Sequence, residues 1–246
     1  MFMIETENLY KNFGRKQALK PLNLQIPGGE IFAFLGPNGA GKTTTIKILC
    51  GLLRPSGGSA RIGGHDILTD GIAARALMAY VPDEPYLYEK LTGFENMRLV
   101  GRMYGMNEAD LERESQHWIK ELDLKDFIND LGESYSHGMK QRVVLAAALV
   151  HKPRVLVVDE PMVGLDPKNM RRVKDIFLEQ AALGVTIFLT IHTLSIAQEV
   201  AQRIAIINKG EIIAQGNFAE LQQKAQAHQA NLEELFLTIT AEEKVT

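Results

Sequence analysis

The sequence predicts an α/β domain whose mostly parallel sheet is flanked by helices, with an N-terminal antiparallel β unit and a helical subdomain. Three features carry this reading: apolar strands that alternate with helical stretches, two strands of mixed alternation ahead of them, and a long helical texture between two core strands. In order, Ile4 to Leu9 and Ala18 to Ile26 read as the opening strands, closed by the turn signal Pro27-Gly28-Gly29. Ile31 to Leu35 is a continuous apolar strand, followed by a glycine-rich loop and a helix from Lys42 to about Cys50. Gly57 to Ile62 and Leu77 to Val81 are further strands. From Thr92 to Leu122 the texture is helical, with Leu99, Met103, Leu111, Trp118, Ile119 and Leu122 on one face of successive helices. A helix from His137 to Val150 precedes the strand Val155 to Val158. Beyond it lie a helix at Lys168 to Leu183, a strand at Val185 to Ile191, a helix at Leu194 to Gln202 and a strand at Ile204 to Asn208. Asn208-Lys209-Gly210-Glu211 then turns into a hairpin with Ile212 to Ala214, and two short helices follow Gln215.

Composition narrows the class. At 246 residues, 46% hydrophobic and 23% charged, the chain can bury its own core without disulfides or metals and is neither disordered nor fibrous. The lone Cys50 excludes an internal disulfide and reads as a small core residue of a protein in a reducing compartment. The longest apolar run, Val143 to Val150, falls short of the roughly 20 residues of a membrane span. No export signal is visible at the start, which points to the cytoplasm. A net charge of -3 with no basic block does not signal nucleic-acid binding.

The loop after the strand Ile31 to Leu35 reads GPNGAGKTT, residues 36 to 44, and satisfies G-x-x-x-x-G-K-[ST] between a buried strand and a helix. Gly36, Pro37, Asn38, Gly39, Ala40, Gly41, Lys42, Thr43 and Thr44 form the candidate phosphate loop of a P-loop NTPase core. Its glycines let backbone N–H groups turn toward phosphate oxygens, Lys42 brings a charge to the β and γ phosphates, and the Thr43 hydroxyl is a natural Mg²⁺ ligand. Downstream, the strand RVLVV ends in Asp159-Glu160. Two carboxylates delivered beside a phosphate loop suit Mg²⁺-dependent nucleotide hydrolysis, Asp159 orienting the metal and Glu160 the attacking water.

With these motifs, YSHGMKQR (Tyr135 to Arg142), GLDP (Gly164 to Pro167) and His192 make the chain resemble the ATP-binding subunits of ABC transporters from Phe2 to about Ile239. The resemblance implies ATP and Mg²⁺ as ligands and a twofold dimer, of two copies or of this chain with a relative. In that dimer Ser136 and Gly138 of one chain face the γ-phosphate held by the other. It also implies that Asp166 bridges the subunits, that His192 contacts the γ-phosphate and helps hold the water, and that Phe13 stacks on adenine, with Tyr10 as the alternative. A single domain over 1–239 follows, with 1–82 and 151–215 as catalytic core, 83–150 as helical subdomain, and 216–246 as a helical tail. A separate transmembrane permease subunit is the implied partner, placing the chain at the cytoplasmic face of the membrane, and no nucleic acid is expected.

Three positions depart from the family pattern. Asp83 follows Tyr80-Val81-Pro82 where glutamine is common, and its shorter, charged side chain is a third candidate metal contact. His137 replaces a glycine and Met139 a glutamine in the signature, leaving the Ser-x-Gly core. These departures resemble the branch with a separately encoded membrane subunit, often for export or drug efflux. Asp83 to Gly105 is then expected to face that subunit. Tyr86, Leu87, Tyr88, Leu91, Phe94 and Met97 either offer it a docking groove or form the helical subdomain's own core.

Overall fold

A computed structural model describes residues 1–191, 193–224 and 230–242. The chain opens with a long hairpin, β1 (Phe2–Phe13) and β2 (Lys16–Pro27), turning at Gly14-Arg15. With β4 (Gly57–Ile62) and β5 (His65–Asp66) it forms an antiparallel sheet of order β2-β1-β4-β5, numbering β3 (Ile31–Leu35) between them. Both opening strands run past the ends that alternation predicts. Their ladder continues to Phe13↔Lys16 through several register shifts, and each shift breaks the period-2 pattern that marks a strand in sequence.

The second sheet has order β10-β9-β3-β8-β7-β6, with β6 (Met78–Val81), β7 (Val155–Asp159), β8 (Thr186–Thr190), β9 (Arg203–Asn208) and β10 (Glu211–Gly216). Its ladders are parallel except the terminal β9–β10 hairpin. In that hairpin Lys209 (φ 45°) and Gly210 (φ 81°) supply the two left-handed residues of a type I′ turn. Strand β3 reads IFAFL because both of its faces are covered. Phe32 and Phe34 meet the ring of Phe188, at centroid distances of 5.7 and 5.3 Å, in the core shared with the antiparallel sheet. Ala33 and Leu35 face a separate cluster with Leu221, Leu232 and Leu235 from α8 (Phe218–Lys224) and α9 (Leu232–Glu242). Cys50 is buried in the first of these cores, where desolvation pushes its thiol pKa up.

The remaining helices are α1 (Lys42–Leu49), α2 (Gly71–Ala76), α3 (Gly93–Met103), α4 (Glu108–Glu121), α5 (His137–Leu149), α6 (Pro167–Ala182) and α7 (Leu194–Val200). Helix α2 has no counterpart in the sequence reading: GIAARA is too short for an apolar period to show, and only Ala74 of it is buried. The helical stretch from Thr92 divides where chemistry says it must. Thr92 and Glu95 form a capping box that starts α3, Gly105 at φ 76° ends it, and the Asn107 side chain accepts the Asp110 N–H to start α4. Leu111, Trp118, Ile119 and Leu122 enter the core as the spacing predicts, whereas Met103 is 76% exposed. Its exposure follows from α3 turning that flank toward an open groove rather than a packed neighbour.

Because β3 lies between β8 and β9, while β7 and β6 follow on the other side of β8, the loops leaving β3, β7 and β6 emerge at one end of the parallel sheet. The carboxyl ends of parallel strands are where open α/β sheets bind ligands.

Candidate nucleotide-binding site

The loop after β3 is shaped by close packing. A Cβ at Gly36 would lie 2.2 Å from the Ile207 carbonyl oxygen, so nothing larger than glycine passes β9 there. Gly41, at φ 114°, precedes α1 in a conformation that side chains rarely adopt. Gly210 N–H donates to the Ala40 carbonyl at 2.8 Å, so the β9–β10 turn buttresses the loop from behind. No side chain caps α1 and no acidic residue stands in its first turn, which leaves its leading N–H groups and positive dipole end for a ligand.

Asn38, Gly39, Gly41, Lys42, Thr43 and Thr44 line a cavity of about 350 Å³, and Asp83, Asp159, Glu160 and Phe13 close its other sides. Gly36, Pro37 and Ala40 complete the loop without lining the cavity. Lys16 and Ala18 of β2 line it as well, although no sequence motif marks a strand that reaches the site through the tertiary fold. Lys42 is 7% exposed, and its ammonium donates to the Gly36 carbonyl at 2.6 Å and the Pro37 carbonyl at 3.2 Å. Burial lowers its pKa, opposed by the carboxylates of Glu160 and Asp159.

Strand β7 delivers those two carboxylates. Asp159 is 3% exposed and accepts a hydrogen bond from the Thr190 hydroxyl on β8. Glu160 N–H donates to the Thr190 carbonyl at 3.1 Å while its backbone sits at φ 50°, a left-handed strain of about 1 kcal/mol that is common at functional sites. Asp83 follows β6 and accepts the Glu84 N–H at 2.9 Å. The Thr43 hydroxyl and the carboxylates of Asp159 and Asp83 thus share one cavity, an all-oxygen donor set of the kind that suits a hard divalent cation. Of the two aromatic candidates Phe13 lines the cavity and is 50% exposed, with Lys11 Nζ 5.1 Å from its ring centroid. Tyr10 packs instead over Gly57, where a Cβ would lie 2.3 Å from its ring. His192 lies outside the described residues.

Ser136, Gly138 and Asp166 do not line this cavity. Ser136 caps α5 by accepting the Met139 N–H at 3.3 Å, and Asp166 caps α6 by accepting the Asn169 N–H at 2.9 Å. Hydrogen bonding from Asn169 holds the Asp166 carboxyl below its ordinary pKa. The two helix starts touch through their loops: a Cβ at Gly138 would lie 2.6 Å from the Gly164 carbonyl oxygen, and one at Gly164 would lie 2.5 Å from the His137 ring. One chain therefore carries a phosphate-loop cavity and, elsewhere, an exposed helix start with the chemistry to meet a phosphate.

The family described as ABC transporter matches residues 19–163 of this chain. The chain belongs to the ABC transporter family. This ABC cassette is 35% identical over 219 residues to the linearmycin resistance ATP-binding protein LnrL of Bacillus subtilis, covering 89% of this chain and 70% of that protein. It is 39% identical over 218 residues to the daunorubicin/doxorubicin resistance ATP-binding protein DrrA of Streptomyces peucetius, covering 89% of this chain and 66% of that one. The cassette thus spans about two thirds of the length of these relatives. A solved ATP-binding subunit of an ABC transporter superposes with a TM-score of 0.93 at 32% identity, covering 97% of this chain and 99% of that one. A dimeric ATP-binding cassette in a post-hydrolysis state bound to ADP and Pi superposes with a TM-score of 0.77 at 27% identity, covering 87% of this chain and 98% of that one. The ABC cassette is thereby an ATP-binding subunit in kind, with the family's α/β fold.

The cassette has a second, apolar groove of about 300 Å³ between the β6–α3 loop, α3 and α5. The expected cluster divides across it. Leu87 and Met97 are buried in the core, with Phe94 packed against it, while Tyr86 and Tyr88 are 72% and 53% exposed at the groove. Met103, Tyr104, Ala147, Ala148 and His151 also line it, and no sequence pattern marks them as one groove, because residues from separate helices converge there only in the fold. His151 stacks on Tyr104 with centroids 3.6 Å apart, and burial pushes its pKa down to about 4 from an ordinary 6.5. Between these values the unfolded chain takes up a proton that the folded chain refuses, so stability falls as pH drops through this window. The full window corresponds to roughly 3 kcal/mol. Thermal unfolding from neutral pH down to the folded pKa should show the native chain losing more stability than a His151→Gln variant; parallel losses would remove His151 as the cause.

Proposed function

We propose that this chain is the ATP-hydrolysing motor subunit of an ABC exporter, closing on a second cassette when ATP binds and opening after hydrolysis. The observation that carries the reading is the convergence of Lys42, Thr43, Asp159 and Glu160 on one cavity below an uncapped helix start. Lys42 and the loop N–H groups hold the β and γ phosphates, and Phe13 stacks on the base. Thr43, Asp159 and Asp83 would hold Mg²⁺, which when bound neutralises charge on the phosphate oxygens. Glu160 orients a water in line with the γ-phosphorus and accepts its proton as the new P–O bond forms and the bond to the bridging oxygen breaks, releasing ADP. His192 is proposed as a γ-phosphate contact that steadies this water.

Ser136 and Gly138 at the start of α5 complete the site of the second cassette, and Asp166 bridges the pair; the exposure of Ser136 and Asp166 away from their own cavity supports an arrangement in trans. Residues 83–150 form the arm that receives a separate membrane permease in the apolar groove, with 1–82 and 151–215 as the catalytic core. No helix among the described residues is long and apolar enough to cross a membrane. Resistance proteins among the relatives support export as the direction. The subunit then works at the cytoplasmic face, held there by its partner. Affinity purification of the tagged chain from gently solubilised native membranes is expected to recover a multi-span membrane protein in near-equal amount. Recovery with ribosomes or nucleic acid instead would move the chain to a different class of ABC ATPase.

A further inference from the structure

Gln141 is 2% exposed, and neither its side-chain oxygen nor its nitrogen makes a hydrogen bond. A buried amide with both ends unpaired is costly, whereas methionine or leucine would fill similar space without that penalty. A polar group held in such a place calls for a partner in another state of the molecule.

Its surroundings say which segment that is. On α5, residues three and four positions apart share a face. One turn before Gln141 on this face stand His137 and Gly138, which touch Gly164. One and two turns after it stand Val144 and Ala148, which line the apolar groove. Met162 and Leu165 of the segment after Glu160 pack in the same core cluster as Val144 and Leu145. Glu160 at the head of the segment from Pro161 to Leu165 and Gly164 near its tail both hold left-handed backbone, at φ 50° and 77°. Gln141 is thus placed on the α5 face that runs from the contact with Gly164 to the residues lining the groove.

Resting on the ATP-driven dimer proposed above, we infer that Gln141 is a positioning residue for the closed state. When ATP draws the second cassette onto this surface, the 161–165 segment shifts, and its peptide groups take up the Gln141 amide as donor and acceptor. The pairing locks α5, and the Ser136 start it carries, onto the loop that follows Glu160. A movement of α5 in the groove then reaches the hydrolytic carboxylate through one hydrogen-bonded side chain. The open state carries the unpaired amide, which favours closure once ATP is bound.

The test uses Gln141→Met in the full chain and in a Glu160→Gln background. The nucleotide-free protein is expected to melt at the same or a higher temperature, because an orphaned polar group has been removed. Loss of a closed-state hydrogen bond should lower kcat about tenfold while the Kd for ADP on the monomer stays within about twofold. In light scattering with Mg-ATP, the Glu160→Gln dimer should form and the double variant should remain largely monomeric. A Gln141→Met protein with native kcat and an intact dimer in the double variant overturns the inference and leaves the dimer reading standing. Failure of Glu160→Gln alone to dimerise overturns both. Should the methionine variant not fold, Gln141→Leu removes the amide in similar volume, and native turnover in it is equally fatal to the inference.

Discussion

Lys42→Ala is expected to weaken ATP binding about a hundredfold or more, equivalent to ~3 kcal/mol. Lys42 is 7% exposed and its ammonium is held at the cavity wall by the Gly36 and Pro37 carbonyls, so its charge is offered to phosphate with little rearrangement and little screening by water. Burial lowers its pKa, but the neighbouring Glu160 and Asp159 carboxylates oppose that shift and favour the charged form. Alanine leaves those carboxylates facing the phosphates without the intervening cation, so attraction becomes repulsion. The loop itself should survive, since its shape rests on Gly36 against Ile207 and on the Gly210 to Ala40 hydrogen bond, neither of which involves the lysine side chain. Isothermal titration with Mg-ATP checks this, and an unchanged affinity would falsify the phosphate-loop assignment.

Glu160→Gln should separate binding from turnover. Glutamine keeps the size of the side chain and can occupy the same backbone well at φ 50°, so the site should stay assembled. It cannot accept the proton of the attacking water, and removal of a general base lowers a rate by about a hundredfold to ten thousandfold. Affinity for ATP is expected to hold or rise, because one negative charge leaves the cavity that takes up the phosphates. With hydrolysis blocked, an ATP-bound dimer should accumulate and be visible in light scattering. Hydrolysis at the native rate would mean that another group orients the water, and the carboxylates of Asp159 and Asp83, which line the same cavity, would be next to test.

The parts of the site that sequence makes legible are those in which a short run of residues carries its own geometry. GPNGAGKTT announces a turn, a helix start and a cation within nine consecutive positions, 36 to 44, and the strand ending in Asp159-Glu160 delivers its carboxylates by simple continuation. Parts built from distant segments are much less legible. Lys16 and Ala18 reach the cavity because β2 lies beside the β9–β10 turn, where Lys20 N–H donates to the Gly210 carbonyl at 2.9 Å. No local pattern announces that contact. The choice between Phe13 and Tyr10 was likewise decided outside the strand they share, by Gly57 on β4 giving room to the tyrosine ring. Helix α2 is illegible in the sequence for a different reason, since a single buried alanine leaves no period to detect.

Sequence alone determined the α/β class, the alternation that yields a parallel sheet, the phosphate loop and its paired carboxylates, and the family resemblance. These depend on backbone propensity, apolar period and side-chain chemistry, which act over a few residues. Tertiary structure decided which apolar side chains are core and which are surface, placing Met97 inside and Met103 outside on one helix. It also decided that Ser136 and Asp166 stand away from the cavity, that His151 is stacked in a groove, and that Gln141 is buried without a partner. Burial and hydrogen-bond satisfaction are set by what packs against a residue from elsewhere in the chain, and α5 meets β6, α3 and α4 only after folding.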